Sequence, residues 1–338
     1  MTVHLTGVGT HVPDETIGGA DIAEQSGIPR DVVVEKMGVR RKHVCRNGED
    51  HPSDMCVAAA EAALADADCD PASLDAVRYH GSEYKDHVVW NLAADVADRI
   101  GADDAYASES YALCAGAPIA IREATAQLEA DAPDKMLLIA ASREEDLVDY
   151  EDPDTSFMFN FGSGASAMVL ERDAPDRALA TVHESAAVTD GSFSRDVVVP
   201  AGGTRYPASH DSVDSDMHTL RVRDHEEMKS RLAEVSLDNF LDVADTALDR
   251  SGYDREAVEF AAITHMKRSF HAYLCDELGL GERDSYYLDD YGHVQSVDQA
   301  LATDVARARG WIEAGDVLLY LAAGTGYTWA ATVLEWAD

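Results

Sequence analysis

The chain has 338 residues, of which 46% are hydrophobic, and its 64 acidic against 27 basic side chains give a formal net charge of −37. A field of this sign repels polyanions, so nucleic acids and anionic membrane surfaces are not expected as partners. No apolar run approaches the ~20 residues that a membrane helix needs, and the length predicts two lobes or one large α/β unit.

The start of the chain and its cysteines bear on the compartment. Residues 1–7 lack the basic segment of a secretory signal, so we expect a cytoplasmic protein. The five cysteines form no Cys-x-x-Cys pair, which predicts free thiols and no metal site. Acidic residues occur throughout the chain instead of in one block, which we interpret as adaptation to high salt, where screening acts over about 3 Å.

Taken in chain order, short apolar runs alternate with Ala-rich helical patterns. Strand patterns at 75–80, 111–113 and 135–141 enclose helical patterns at 90–100 and 115–130. This alternation is typical of a mainly parallel sheet that is covered by helices. We therefore expect an α/β protein.

An internal repeat relates the two ends of the chain. The segment 55–80, an amphipathic helix followed by a turn and an apolar strand, is echoed at 240–264. The Gly-x-Gly turn that opens 162–171 is echoed at 324–335. These spacings predict a duplication, with a first half at residues 1–172 and a second half at residues 173–338.

Cys114 is a candidate nucleophile. It lies where a strand pattern runs into a long helical pattern, with Pro118 at a position that a first helical turn tolerates. At a helix N-terminus the macrodipole and the free backbone N–H groups stabilise a thiolate. Taken alone, a cysteine among alanines also fits a small buried hydrophobe.

Six motifs in order then resemble one family over nearly the whole chain: Gly38-Val-Arg-Arg-Lys-His-Val, Leu113-Cys-Ala-Gly, Phe161-Gly-Ser-Gly-Ala-Ser-Ala-Met-Val-Leu, Ile263-Thr-His, Tyr291-Gly-His and Ala323-Gly-Thr-Gly-Tyr-Thr-Trp. The chain resembles the thiolase-fold condensing enzymes, specifically the β-ketoacyl-acyl-carrier-protein synthase III group and its relatives, including hydroxymethylglutaryl-CoA synthase. The resemblance implies a five-layered α-β-α-β-α sandwich of two duplicated βαβαβαββ halves, usually a homodimer.

The resemblance also implies residue roles. Cys114 is the expected acyl-accepting nucleophile, with an oxyanion hole made by the backbone N–H groups of Cys114 and Gly326. His265, at the end of an apolar strand, matches the active-site His that donates to the second thioester carbonyl. Without the resemblance, a strand-end His is more simply structural, and a glycine at Gly326 fits an ordinary turn.

His293 departs from the family pattern, which usually has Asn after the Gly of this loop. Chain-elongating ketosynthases use Cys with two His, so an imidazole here still supplies a donor for an enolate. We expect two neutral imidazoles that donate to one thioester oxygen. The change also permits acyl transfer onto an alcohol or amine, and a local shift would put Gln295 or Ser296 in the role.

A second departure concerns substrate delivery. Lys36 and Arg40 near the Gly38 motif, and Lys267 and Arg268 after His265, are expected to bind a CoA or phosphopantetheine phosphate. The family's aromatic adenine clamp is replaced here by Val32 to Val34. Its Arg in the segment after the active-site His is replaced by Phe270.

Other residues extend the prediction to the acyl pocket and to a competing chemistry. Trp90, Met158, Phe159 and Phe161 are candidates for the acyl pocket, with core packing as the alternative. Glu83 lies in a loop where hydroxymethylglutaryl-CoA synthases place a general base, although a loop Glu is more simply a solvated charge.

The sequence therefore predicts a condensing acyltransferase with no permanently bound cofactor. Acyl-CoA acylates Cys114, and Claisen condensation with a malonyl-type thioester, on CoA or an acyl carrier protein, gives a β-ketoacyl product. The alternatives are a non-decarboxylative condensation with Glu83 as base, and a non-catalytic acyl-CoA-binding subunit that pairs with a thiolase-type enzyme.

Overall fold

The structure is a computed structural model that describes residues 1–46, 48, 50–130 and 133–337. Its strands are β1 (Val3–His11), β2 (Thr16–Gly18), β3 (Arg41–His43), β4 (Ala76–Tyr79), β5 (Tyr106–Glu109), β6 (Lys135–Ser142), β7 (Gly164–Arg172), β8 (Ala180–Thr189), β9 (Val197–Val198), β10 (Arg221–Val222), β11 (Val258–Ile263), β12 (Val317–Gly324) and β13 (Thr328–Trp336). Its helices are α1 (Gly19–Ser26), α2 (Pro52–Asp66), α3 (Leu92–Ile100), α4 (Gly116–Glu129), α5 (His210–Asp214), α6 (His225–Ser251), α7 (Arg268–Leu278) and α8 (Asp298–Ala308).

The sheet repeats one strand pattern twice. In the first half the order is β5-β4-β6-β7-β1, with β4 parallel to β6 and the next two pairs antiparallel. In the second half the order is β11-β12-β13-β8, again with one parallel pair followed by two antiparallel pairs. The two patterns join where β1 pairs with β8. The predicted duplication is confirmed, and the boundary at residue 172 stays a prediction.

The second half is not a complete copy of the first. Within its described residues the segment 279–294, between α7 and α8, forms no strand to match β5. The carbonyl of Asp284 instead accepts a hydrogen bond from Ala261 of β11 at 2.7 Å. The sequence prediction of a strand at 111–113 was wrong, since β5 ends at Glu109 and the following residues turn into the helix that follows Cys114.

Alternating side chains along the strands divide the protein into layers. One face of the strands, including Leu138 of β6 and Leu318 of β12, packs with α4 and α8 in a central core. The opposite face packs against α2 and α3 in the first half and against α6 and α7 in the second. Helices therefore lie outside and between the two parts of the sheet, which gives the expected five α-β-α-β-α layers.

The two central helices set the position of the site. A single 3-10 turn at 113–115 leads into α4 and another at 295–297 leads into α8. The two turns are in contact with each other. Among the described residues, no helix is both long and apolar enough to cross a membrane.

Candidate active site

A cavity of about 500 Å³ opens beside the two turns. It is lined by Cys114, His265 and His293, and its other walls include Asn160 and Met266. A cleft of this size is typical of a small-molecule site. The three residues predicted as the catalytic set therefore face one cavity, although they come from three separate loops.

The turn that carries Cys114 is shaped by unusual backbone. Leu113 has a φ of 48°, the left-handed region that non-glycine residues rarely adopt, and α4 begins two residues after the cysteine. Cys114 is 6% exposed, at the N-terminal end of this helix. The thiol therefore lies at the positive end of the helix macrodipole, a position typical of a nucleophilic cysteine.

Gly324 allows the second half to approach this turn. A Cβ at this position would lie 2.5 Å from the carbonyl oxygen of Ala112 and 3.0 Å from the backbone nitrogen of Cys114. Only glycine leaves that space free. Because of this close approach at Gly324, the predicted oxyanion turn lies against the turn that carries Cys114. Gly326, two residues later, has a φ of 110° and open space around it.

A chain of hydrogen bonds links Cys114 to His293 and Asp298. The Nε2 atom of His293 lies 3.0 Å from the Cys114 sulfur, and its Nδ1 atom lies 2.6 Å from the Oδ2 of Asp298. Burial opposes a charge on this ring, but the Asp298 carboxylate and the Cys114 sulfur raise the pKa of His293 well above its ordinary value. The geometry therefore favours an imidazolium at His293, within hydrogen-bonding distance of the Cys114 sulfur.

Asp298 also holds the loops that surround it. Its Oδ2 accepts from the backbone N–H of His265 at 2.7 Å, and its Oδ1 accepts from that of Val294 at 2.7 Å. The carboxylate is fully buried, and each oxygen has a donor. One side chain thus fixes both histidine-bearing loops.

His265 has a different environment. Its Nδ1 lies 3.0 Å from the Nδ2 of Asn160, its Nε2 lies 3.3 Å from the carbonyl oxygen of Gly38, and its ring stacks on Tyr287 at 4.7 Å. Burial lowers the pKa of His265 to about 3. The ring is therefore neutral at physiological pH.

The expectation of two neutral imidazoles needs correction at His293. Only His265 is kept neutral, because its ring nitrogens face an amide and a carbonyl, whereas His293 faces a carboxylate. Gln295 and Ser296 do not replace His293, since the Gln295 amide donates to Glu144 and the Ser296 hydroxyl donates to the carbonyl of His80.

The predicted cation set divides into two pairs. Lys36 and Lys267 are exposed and line the cavity. Arg40 instead forms an ion pair with Asp290, and Arg268 forms one with Asp289 at 2.8 Å. The arginines are thus engaged within the protein, while the lysines face the opening.

Four other predicted residues lie outside the cavity wall, and a fifth, Phe161, is part of it. Glu83 is exposed at the surface, and the cavity lining does not include it in the described structure. Phe161 lines the cavity and packs edge-on against His293 at 5.2 Å. Met158 and Phe159 are buried away from it, and Trp90 packs partly buried against the core under α2 and α3.

Sequence reasoning missed Asp298 and Asn160. A signal for Asp298 was present, since a carboxylate five residues after His293 at the start of a helical pattern is a candidate partner for that ring. Asn160 lies 105 residues from His265, and only the fold reveals their contact.

Comparisons with known proteins agree with the fold and identify the family. Residues 109–191 match the family described as 3-Oxoacyl-[acyl-carrier-protein (ACP)] synthase III, and residues 248–336 match its C-terminal family. The two matches together cover half of the chain and include Cys114, His265 and His293. A beta-ketoacyl-[acyl-carrier-protein] synthase III from Solibacter usitatus is 28% identical over 335 residues, covering 98% of each chain.

Solved structures share the fold over the whole length. The priming beta-ketosynthase of the R1128 polyketide biosynthetic pathway has a TM-score of 0.85 at 23% identity, covering 99% of this chain and 96% of its own. A 3-oxoacyl-(acyl carrier protein) synthase III from Pseudomonas aeruginosa has a TM-score of 0.84 at 21% identity, covering 100% and 99%. These likenesses establish the thiolase-like fold.

Proposed function

Because the chain belongs to the 3-oxoacyl-[acyl-carrier-protein] synthase III family of condensing acyltransferases, we propose that Cys114, His293 and His265 carry out its two half-reactions. The observation that carries the assignment is the 3.0 Å contact between the Cys114 sulfur and His293 Nε2 on a cavity that His265 also lines.

In the first half-reaction the Cys114 thiolate attacks the carbonyl carbon of an acyl-CoA. The N–H groups of Cys114 and Gly326 stabilise the oxyanion that forms. The C–S bond to CoA breaks, and the leaving thiolate takes a proton from the His293 imidazolium. The products are acyl-Cys114 and free CoA, and Asp298 holds the His293 ring in place throughout.

In the second half-reaction a malonyl-type thioester occupies the emptied entrance. His265 donates from Nε2 to its carbonyl oxygen. His293 regains a proton from solvent, which Asp298 favours by raising its pKa, and is the second donor. Loss of CO₂ leaves an enolate, whose carbon attacks the acyl group and expels the Cys114 thiolate. Loss of one such donor typically costs about 10²–10³-fold in rate.

The test separates the two half-reactions. His265→Ala should keep acylation of Cys114 within a few-fold of the wild type and reduce β-ketoacyl product by at least ~10²-fold, measured by single-turnover quench and mass spectrometry. Equal loss of both half-reactions would refute the division of roles. The exposed variant Lys229→Ala is the control, since Lys229 lies on α6 away from the cavity lining.

Substrate delivery is also part of the proposal. Lys36 and Lys267 are the exposed cations at the opening, so we assign to them the phosphates of CoA or of a carrier's phosphopantetheine. Removing one should raise KM for the acyl-CoA and leave acyl transfer at saturation unchanged. We also propose that the protein is a homodimer, as the family resemblance implies, and that it acts in the cytoplasm.

One observation favours a second activity. When His293 is neutral, Asp298 holds the proton on Nδ1, so the Nε2 lone pair faces acyl-Cys114 and acts as a general base. An alcohol or amine would then attack the acyl carbon, pass its proton to His293 and release the Cys114 thiol. Discharge of acyl-enzyme by 2-aminoethanol, faster than in His293→Asn, is the expected result; equal rates would contradict it.

The other two alternatives have weaker support. The named relatives are synthase III enzymes, which favours neither a hydroxymethylglutaryl-CoA synthase nor a non-catalytic subunit. Glu83 is exposed outside the cavity lining, so we do not assign it the role of base.

A further inference from the structure

Asn160 connects the two histidines. It lies just before β7 in the first half of the chain and is 6% exposed. Its backbone carbonyl accepts from the N–H of His293 at 2.7 Å, while its side-chain Nδ2 lies 3.0 Å from Nδ1 of His265. One residue of the first half therefore touches both histidine-bearing loops of the second half.

We propose that Asn160 is a positioning residue that keeps the proton of neutral His265 on Nε2, so that His265 acts as a hydrogen-bond donor to the substrate and not as a base. This proposal rests on the proposed function, because it assigns a reason for the role that His265 plays there.

The hydrogen-bonding partners of His265 determine the proton's position. The carbonyl of Gly38 can only accept, so the Nε2 atom that faces it at 3.3 Å must carry hydrogen. A neutral imidazole has one N–H, which leaves Nδ1 without hydrogen and in need of a donor. The NH₂ group of Asn160 is that donor, and the same logic fixes the orientation of the amide.

The rest of the environment keeps the ring neutral. Tyr287 stacks on His265, and the Arg268 guanidinium lies 4.4 Å from the centre of the Tyr287 ring. His271 and His293 are the nearby imidazoles, and both disfavour a charge on His265. Asp298 favours a charge, but its oxygen is bonded to the His265 backbone N–H and not to the ring.

The 3.3 Å contact to Gly38 is longer than the usual 2.9–3.0 Å of an N–H···O bond. A substrate carbonyl that offers a shorter bond would therefore replace Gly38 at small cost. The amide of Asn160 keeps its bond to Nδ1 of His265 during that exchange, so the N–H at Nε2 remains available to the substrate in the cavity.

Two substitutions test the proposal. Asn160→Asp places an acceptor against Nδ1, which should protonate that nitrogen and give His265 the charged state that Asp298 gives His293. Asn160→Leu removes the donor without adding a charge. Both variants should slow the decarboxylative half-reaction about 10- to 100-fold and change Cys114 acylation less than about threefold. Asn239→Asp, on α6, is the matched control.

A direct readout requires no activity. In protein labelled with ¹⁵N-histidine, the signals lost in His265→Gln identify this ring, and the wild type should show a neutral Nε2–H form at pH 7. Asn160→Asp should show an imidazolium and add an ionisation to the pH profile of condensation.

Three results would overturn the proposal: an Nδ1–H signal from His265 in the wild type, an unchanged ring in Asn160→Asp, or equal loss of both half-reactions in the variants. If instead His265→Ala condenses normally while the wild-type ring is Nε2–H, the proposed function fails and the tautomer assignment stands.

Discussion

His265 and His293 are both buried and face the same cavity, yet their pKa values move in opposite directions. The difference lies in the partner of Nδ1, an amide for one ring and a carboxylate for the other. From residue type alone, both imidazoles were expected to be neutral. The partners that distinguish the two rings are Asn160 and Asp298, which the fold brings to them.

Asp298→Asn should remove the larger of the two interactions that raise the pKa of His293, the other being that with the Cys114 sulfur. A neutral His293 no longer pairs with a thiolate, so alkylation of Cys114 by iodoacetamide at pH 7 should fall about 10- to 100-fold and recover in alkaline solution. The measurement is the alkylation rate against pH, with Cys114→Ala as the blank. A profile identical to that of the wild type would show that Asp298 does not tune this pair.

Lys42 is a buried cation, and the free energy that its burial costs the folded protein depends on pH. It is fully buried and donates to the carbonyl of Phe161, and burial lowers its pKa to about 7. Between that value and the ordinary 10.5 the unfolded chain binds more protons, so the free energy of unfolding should rise with pH over this window. Below pH 7 the full cost of burial is present.

Lys42→Met removes that titration. Relative to the variant, the wild type should gain about 1–4 kcal/mol of unfolding free energy between pH 7 and pH 10, measured by urea denaturation at constant ionic strength. Lys229→Met, at an exposed position of α6, is the control. A pH-independent difference between wild type and Lys42→Met would mean that Lys42 is not the titrating group.

At the scale of elements, the site depends on how closely the turns before α4 and α8 approach. The sequence predicted the duplication, because helix and strand periods repeat in both halves. It did not predict β5, an edge strand whose half-exposed residues lack an apolar period. It also did not predict the left-handed conformation of Leu113, because no residue type other than glycine signals a positive φ reliably.

Gly116, the first residue of α4, tests this packing. A Cβ there would lie 2.6 Å from the carbonyl oxygen of His80 and 2.8 Å from the Cβ of Ser296. Gly116→Ala should therefore lower the unfolding free energy by about 1–3 kcal/mol, although alanine normally favours a helix. Gly203→Ala, with nothing within 4 Å, should change it by less than about 0.5 kcal/mol. Similar values for both would contradict the close approach.

At the scale of the whole molecule, the negative net charge should be the main influence on how stability depends on salt. The net charge of −37 is spread over the chain, and the arginines Arg99, Arg231 and Arg255 already pair with carboxylates. The remaining carboxylates repel one another, and salt screens that repulsion. The melting temperature should rise steeply from low to molar KCl, and a salt-independent transition would contradict adaptation to high salt.

The most direct test of the account is whether Cys114 accepts an acyl group. Purified protein is mixed with acyl-CoAs of several chain lengths in molar KCl, and its intact mass is measured with peptide mapping. We expect one acyl adduct on Cys114, none in Cys114→Ala, and slower formation in His293→Ala. An adduct on another of the five cysteines, or none with any chain length, would contradict the central claim.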